Sequence, residues 1–323
     1  MKSSASRSDV VTPISRAWNH VGQLLFRPFD LSRWLAIGFT AWLATLGQSW
    51  GGGGGTNLKS SSTGGNPATE IRGALDQGRE WISENLMWLI PVVVIGGLVL
   101  VAVWLVMLWL SSRGQFMFLH NVITGRDEVA DPWSRYSAHG NSLFAFRLVL
   151  ALIGVVTAMP VLAVGGWAGF TLIQESGSAP AALVVAVLSG LTIFVIGIGF
   201  LVVGKLTADF VVPIMWKQTS SCRAAWGVFL RLAGSDPGAI LLYLLFQILL
   251  WIGAIFLIVA VVLLTCCIAG CLLAIPYIGT VLLLPVLVFF RSYSLHFLAG
   301  FGPEWNLLVR QVEAPGGTTG TPG

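Results

Sequence analysis

Charge is scarce in this chain. Asp, Glu, Lys and Arg make up 10% of its 323 residues, against about 25% in soluble domains. No polar stretch is long enough to build a soluble catalytic domain, which excludes one. Histidine is nearly missing: His20, His120, His139 and His296 are the only four, and no H-E-x-x-H pair is available for zinc. The 38 glycines form no P-loop, dinucleotide-binding fingerprint or G-x-S-x-G elbow. The sequence therefore marks no residue as catalytic, cofactor-binding or metal-ligating, and implies no cofactor. Nucleic acid is not expected as a partner. The formal charge is +4, but the basic residues flank apolar runs, where topology and anionic headgroups account for them.

Apolar residues are abundant. The chain is 55% hydrophobic with a mean hydropathy of +0.82, and six long apolar runs carry that excess, at 32–50, 86–111, 147–173, 180–204, 239–265 and 272–291. Crossing a bilayer takes about 20 mostly apolar helical residues. Backbone polar groups find no water there, so each crossing must be a closed helix. The runs predict an all-α, polytopic integral membrane bundle of six transmembrane helices with interfacial amphipathic helices, as a single membrane domain over 12–310. Residues 1–11 and 311–323 read as disordered ends, and 51–66 as a flexible Gly/Ser outer loop.

Lys and Arg set the expected orientation. Fifteen of the 18 lie before or at the start of run one, between run two and the start of run three, after run four, or at the end of run six and beyond; Lys59, Arg72 and Arg79 lie between runs one and two. That asymmetry places both termini in the cytoplasm and the protein in the cell (inner) membrane. About 30 polar or amphipathic residues precede the first run and no small-x-small site closes it, so the first helix reads as uncleaved rather than as a signal peptide.

Thr12-Pro13 reads as a helix start. From there Ile14, Ala17, Trp18, Val21 and Leu25 form an apolar stripe opposite Arg16, Asn19, His20, Gln23 and Arg27. Such a helix suits the inner headgroup layer, with anionic lipids meeting Arg16 and Arg27; a cytosolic helix packed on a partner is the alternative, which the adjacent crossing disfavours. Asn66-Pro67 restarts helix as a second amphipathic stretch leading into run two. Trp133 and Trp226 head comparable segments before runs three and five. Runs two, four and six each end in mixed aromatic and basic residues, around Arg113–His120, Lys205–Lys217 and Arg291–His296. Together these suggest a three-fold repeat of helix pairs, although any even-pass protein alternates basic loops.

Run three carries a stripe of small residues, Gly154, Ala158, Gly165 and Gly169, that share a helix face. It reads as a helix–helix contact, with a backbone-lined passage as the other reading. Pro160 is expected to kink this helix. Cys266, Cys267 and Cys271 cluster in the hairpin between runs five and six. Three readings fit them: small apolar packing, a disulfide from Cys271 to Cys266 or Cys267, and a metal site, for which the hairpin supplies no His, Asp or Glu. Ionisable residues are nearly absent from the middles of the runs. Gln247 is the deepest strongly polar side chain, and Asp209 with Lys205 reads as a local ion pair at the inner boundary.

At Phe210-Val-Val-Pro-Ile-Met215, Cys266-Cys-Ile-Ala-Gly-Cys271 and Ile275-Pro-Tyr-Ile-Gly279…Leu284-Pro285…Arg291-Ser-Tyr-Ser-Leu295, the sequence resembles an uncharacterised family of bacterial multi-pass membrane proteins. More distantly it resembles the membrane-domain group named after some glycerophosphodiester phosphodiesterases. The resemblance implies no functional residue; phosphodiesterase chemistry resides in a separate soluble domain with acidic metal ligands, which this chain does not supply.

Three functions are compatible with this reading. A non-catalytic membrane component organising lipids or partner proteins follows from the lack of deep polar residues. A carrier or flippase for a hydrophobic or amphipathic solute would use helices broken around Pro160, Pro276 and Pro285. A membrane-embedded enzyme would need His120, His139, Asp209 and His296 to converge.

Overall fold

A computed structural model describes residues 11–27, 29–46, 67–127, 129–175, 179–265 and 268–308. Among these there are helices and no strands. The elements are α1 (Thr12–Phe26), α2 (Leu31–Thr45), α3 (Pro67–Thr124), α4 (Ala130–Arg135), α5 (Ser137–Glu175), α6 (Ala179–Leu206), a π turn (Thr207–Val211), α7 (Val212–Gln218), α8 (Cys222–Ser235), α9 (Pro237–Leu264), α10 (Ile268–Ala274), α11 (Pro276–Leu282), α12 (Leu284–Ala299) and a 3-10 turn (Pro303–Trp305). The expected disordered ends apart from Val11, the Gly/Ser loop, and Cys266 and Cys267 lie outside the described residues.

Short polar side chains and prolines start several helices. The Asp30 carboxylate accepts from the Ser32 backbone N–H at 2.9 Å and caps α2. Asp236 accepts from Ala239 N–H at 3.2 Å with Pro237 as the first residue of α9, satisfying donors a helix start otherwise leaves open. Thr12 sits inside α1 rather than capping it.

Four helices are long and apolar enough to cross a bilayer: Ser83–Thr124, Ser137–Gln174, Pro180–Gln218 and Pro237–Leu264. A fifth is reached if Pro276–Leu282 and Leu284–Ala299, bent by 61°, count as one span. Six straight crossings are therefore not found among the described residues. α2 has 15 residues, about 22 Å at 1.5 Å per residue, short of the roughly 30 Å apolar core. Run six breaks because Pro276 and Pro285 lack an N–H and their rings oppose a continuous helix. A three-fold repeat of helix pairs is not shown among the described residues, in which α2 is short and run six is broken. Runs two to five form longer helices than expected, α5 passing through Pro160 without interruption.

The chain forms two compact units. One contains residues 49–108 and 145–204. Within it Gly165 of α5 lies directly against Ser189 of α6, and a Cβ added at Gly154 would meet the Phe200 ring at 3.7 Å. Its other apolar side chains are largely exposed, among them Val156, Trp167 and Leu201.

The other unit contains residues 1–48, 109–144 and 205–323. α1 lies along α12 and α2 along α11. The approach of α2 to α3 is close: an added Cβ at Gly114 would stand 2.6 Å from the Leu43 carbonyl carbon and 2.7 Å from the Ala44 nitrogen. Ser111 Oγ donates to Ala44 O at 2.9 Å in the same contact. The core holds Phe116, Leu119, Phe210, Ile214, Tyr243 and Tyr293, all fully buried.

Candidate functional site

The most polar part of this core follows from one proline. Pro213 has no N–H to offer the carbonyl four residues back, which belongs to Asp209, and its ring would crowd that carbonyl in a regular α-helix. The helix widens there instead into the π turn, with Val212 N–H bonded to Thr207 O, five residues back. Such insertions are common at functional sites. Asp209 is 5% exposed. Lys205 Nζ lies 3.0 Å from Asp209 Oδ2 and donates to Oδ1 at 3.3 Å. Tyr243 of α9 donates its hydroxyl to Oδ2 at 2.9 Å. The pair expected between Lys205 and Asp209 is present, and it belongs to a larger cluster.

Arg291 of α12 completes that cluster. Its guanidinium donates one N–H, from Nη1, to the Ala208 carbonyl inside the π turn. Its Nε and Nη2 find no hydrogen-bond partner among the described residues, and neither do the amide nitrogen and oxygen of buried Gln247. Gln247 lies one helical turn beyond Tyr243 and one before Trp251, whose rings stack on Tyr293 and Phe290 at centroid distances of 5.6 and 4.9 Å. The Phe210 ring packs on Phe229, Tyr243 and Phe297 at 5.3, 4.9 and 5.9 Å. Asp209 and Arg291 are buried among these rings, where little water reaches them and their interactions are strengthened.

A second cluster gathers around Tyr136, the residue after α4. Its hydroxyl lies 3.3 Å from His120 Nδ1, its ring centroid 5.6 Å from that of His120 and 6.1 Å from that of His139, and it stacks on Phe116 at 6.2 Å. Burial raises the Tyr136 pKa above its ordinary value, against the pull of Arg135. His20 lies on α1, its Nε2 bonded to Val122 O at 3.0 Å. Burial lowers the His20 pKa, and that hydrogen bond opposes the shift in part. His296 is half-buried on α12. His120 and His139 therefore share one cluster, whereas the groups hydrogen-bonded to Asp209 are Lys205 and Tyr243. Among the described residues no group of three or more His, Cys, Asp or Glu is placed to hold a metal ion.

The interfacial residues expected from the sequence divide. Arg16 on α1 and Arg27 just after it are exposed, and Trp18 is 66% exposed, edge-on to Phe289 at 6.3 Å. The apolar stripe itself is not open: Ala17, Val21, Leu24 and Leu25 are buried on the helix that packs against α12, so α1 docks on its own chain. Trp133 meets Trp109 edge-on at 5.8 Å. The Arg113 guanidinium lies over both rings at 4.3 and 5.1 Å, and Asn141 Oδ1 accepts from Arg113 and Trp109. Trp226 is edge-on to Phe229 at 5.4 Å. In the small stripe, Gly154 and Gly165 meet α6 and Ala158 is half-buried, but an added Cβ at Gly169 would touch nothing within 4 Å. Cys271 is exposed and has no disulfide partner among the described residues.

Sequence reasoning missed Arg291 as a partner of the π turn, Tyr243 as a ligand of Asp209, and the Trp109–Arg113–Trp133 stack. Only the first had a local signal, the proline four residues after a buried aspartate.

Residues 8–284 match the model of a family of unknown function (DUF7544), and the chain belongs to that family. No curated protein and no solved structure matches the chain.

Proposed function

We propose that this protein is a multi-pass membrane component whose task is non-catalytic: it organises lipids or partner proteins from the inner face of the cell membrane. The observation that carries this reading is the exposure of its apolar helices. In the four longest, almost none of the most apolar stretch is buried inside the protein. Val156, Leu201 and Phe256 would each cost about 1.5–3 kcal/mol left in water, whereas lipid tails accept them. The division of the titratable groups between separate clusters supports a non-catalytic role. The distant likeness to membrane domains named after glycerophosphodiester phosphodiesterases belongs to this reading, as a likeness of membrane parts without the phosphodiesterase chemistry.

We take both termini to be cytoplasmic. Arg33 donates to Gly125 O near the C-terminal end of α3, and Lys217 donates to Glu304 O near the end of the chain. α1, the ends of α3, α7 and α12, and the 3-10 turn thus belong to one unit with much of the basic charge. α2 starts beside Gly125 and ends beside Ser111, so it climbs antiparallel to the last turns of α3 and begins a crossing. Alkaline carbonate washing of membranes tests insertion, and release of the protein would refute it. Labelling from outside should reach Thr63→Cys and spare Ser220→Cys; the reverse pattern at both would refute the orientation.

A carrier for an amphipathic solute is the second reading. The buried amides of Asn121 and Gln247, without partners among the described residues, favour it, because buried polar groups are normally satisfied. Protein-dependent flux of a labelled lipid across reconstituted vesicles would move the conclusion to that reading.

A further inference from the structure

The charges at the π turn do not balance. Lys205 and Arg291 bring two cations, and Asp209 brings one carboxylate already engaged by Lys205 and Tyr243. Arg291 is 8% exposed and uses Nη1 alone, on a backbone carbonyl. Its vacant donors, Nε and Nη2, form the side-on edge of the guanidinium, two parallel N–H groups spaced to meet two oxygens of one oxyanion. A buried charge left short of partners is costly. Gln247, 3% exposed on the same face of α9 as Tyr243, adds an amide with no acceptor. Lys205 lies in the last turn of α6, where its long apolar run ends, a level suited to headgroups.

We propose that the Nε–Nη2 edge of Arg291, with Lys205 and Gln247 in support, binds one phosphate oxyanion, carried by a phospholipid headgroup or free as inorganic phosphate. A singly charged phosphodiester closes the charge count and supplies both missing acceptors. The vacant donors are closed off from solvent, so entry displaces a neighbour. This assignment rests on the lipid-organising reading above but fails separately from it: carbonate washing tests that reading, and the phosphate arm below needs no membrane.

The experiment uses the full chain, purified in an uncharged detergent without phosphate and melted while tryptophan emission is followed. Inorganic phosphate and a short-chain phosphatidylglycerol are titrated separately, with sodium chloride at matched ionic strength. One or both should raise the melting temperature saturably where chloride does not. Phosphatidylglycerol acting alone identifies a headgroup; inorganic phosphate acting in the same concentration range identifies the free ion. Arg291→Lys keeps the charge and loses the fork, and should weaken half-saturation at least tenfold, while Arg113→Lys, outside the cluster, should leave it unchanged. No saturable rise with either probe, or an unchanged half-saturation in Arg291→Lys, overturns the assignment. If Arg291→Lys does not fold, Lys205→Gln, at a partly exposed position, decides: tenfold weakening supports the site and parental binding overturns it.

Discussion

Gly114 is where the α2–α3 contact should be most sensitive to one added methyl group. In Gly114→Ala the new Cβ would stand 2.6 Å from the Leu43 carbonyl carbon and 2.7 Å from the Ala44 nitrogen. Both are backbone atoms, so no side-chain rotation relieves the overlap. Ordinary contact begins near 3.4 Å, and α2 would have to retreat by most of an ångström, lengthening the Ser111–Ala44 bond from 2.9 Å. Overpacking of this kind costs about 1–3 kcal/mol. Replacing Gly by Ala in a helix returns up to about 1 kcal/mol, so the separation of overlap from propensity needs a control on the same helix. Gly96, exposed and with nothing within 4 Å of an added Cβ, supplies one: Gly96→Ala should be neutral or stabilising. The return is common to both variants and cancels, so they should differ by the overlap alone, about 1–3 kcal/mol. At about 2–4 °C per kcal/mol for chains of this scale, detergent melts should place Gly114→Ala several degrees below Gly96→Ala. If Gly114→Ala melts with or above the control, α2 does not rest on α3 as described, and the bond from Ser111 fails with it.

Other substitutions test the remaining contacts. Gly165→Leu should lower the yield of folded protein, because Gly165 lies directly against Ser189, while Gly169→Leu should leave it unchanged; equal losses would restore a contact along the whole small stripe. His20 should make the protein acid-sensitive. Its folded pKa is lowered from 6.5 by burial, so below about pH 6.5 the unfolded chain gains a proton that the folded one resists, and stability falls as pH drops toward the folded value. His20→Gln can keep a donor for Val122 O and does not titrate, so it should flatten that part of the stability–pH curve; parallel curves for the two proteins would rule out His20 as the source.

Much of the helical architecture was legible because the length of the apolar runs leaves little choice. Apolar runs as long as 86–111 or 239–265 exceed the length of an ordinary strand, and α3 spans the first and α9 all but the last residue of the second. Periodicity also placed Ala17, Val21 and Leu25 on one face of α1. What occupies that face is a tertiary fact: α12 is there, and an apolar stripe has the same spacing whether lipid or another helix covers it. The same ambiguity divided the small stripe, since Gly154, Gly165 and Gly169 share a face but α6 passes close to only the first two. The crossing count failed for a more local reason. Hydropathy sums residues without regard to hydrogen bonds, so Pro276 and Pro285 barely reduce the score of run six while they break its helix.

The polar cluster eluded the sequence because its members are far apart in the chain. Lys205 and Asp209 were legible as an i, i+4 pair. Tyr243 and Arg291 reach them from helices 34 and 83 residues away, measured from Asp209 and Ala208. Pro213 is the hinge between the two levels. It makes a regular helix unfavourable at Asp209, the backbone widens, and the wider turn presents the Ala208 carbonyl to Arg291. Replacing Pro213 by Ala restores the missing N–H, which favours a bond to Asp209 O in place of the five-residue bond between Val212 and Thr207. The carboxylate and the Ala208 carbonyl would then rotate relative to Tyr243 and Arg291. A variant that gained helix propensity by about 3 kcal/mol yet melted lower than the parent would mean that the bonds organised by the π turn outweigh the local cost of keeping it. A higher melting temperature, with any anion response intact, would mean that the turn is only a consequence of proline.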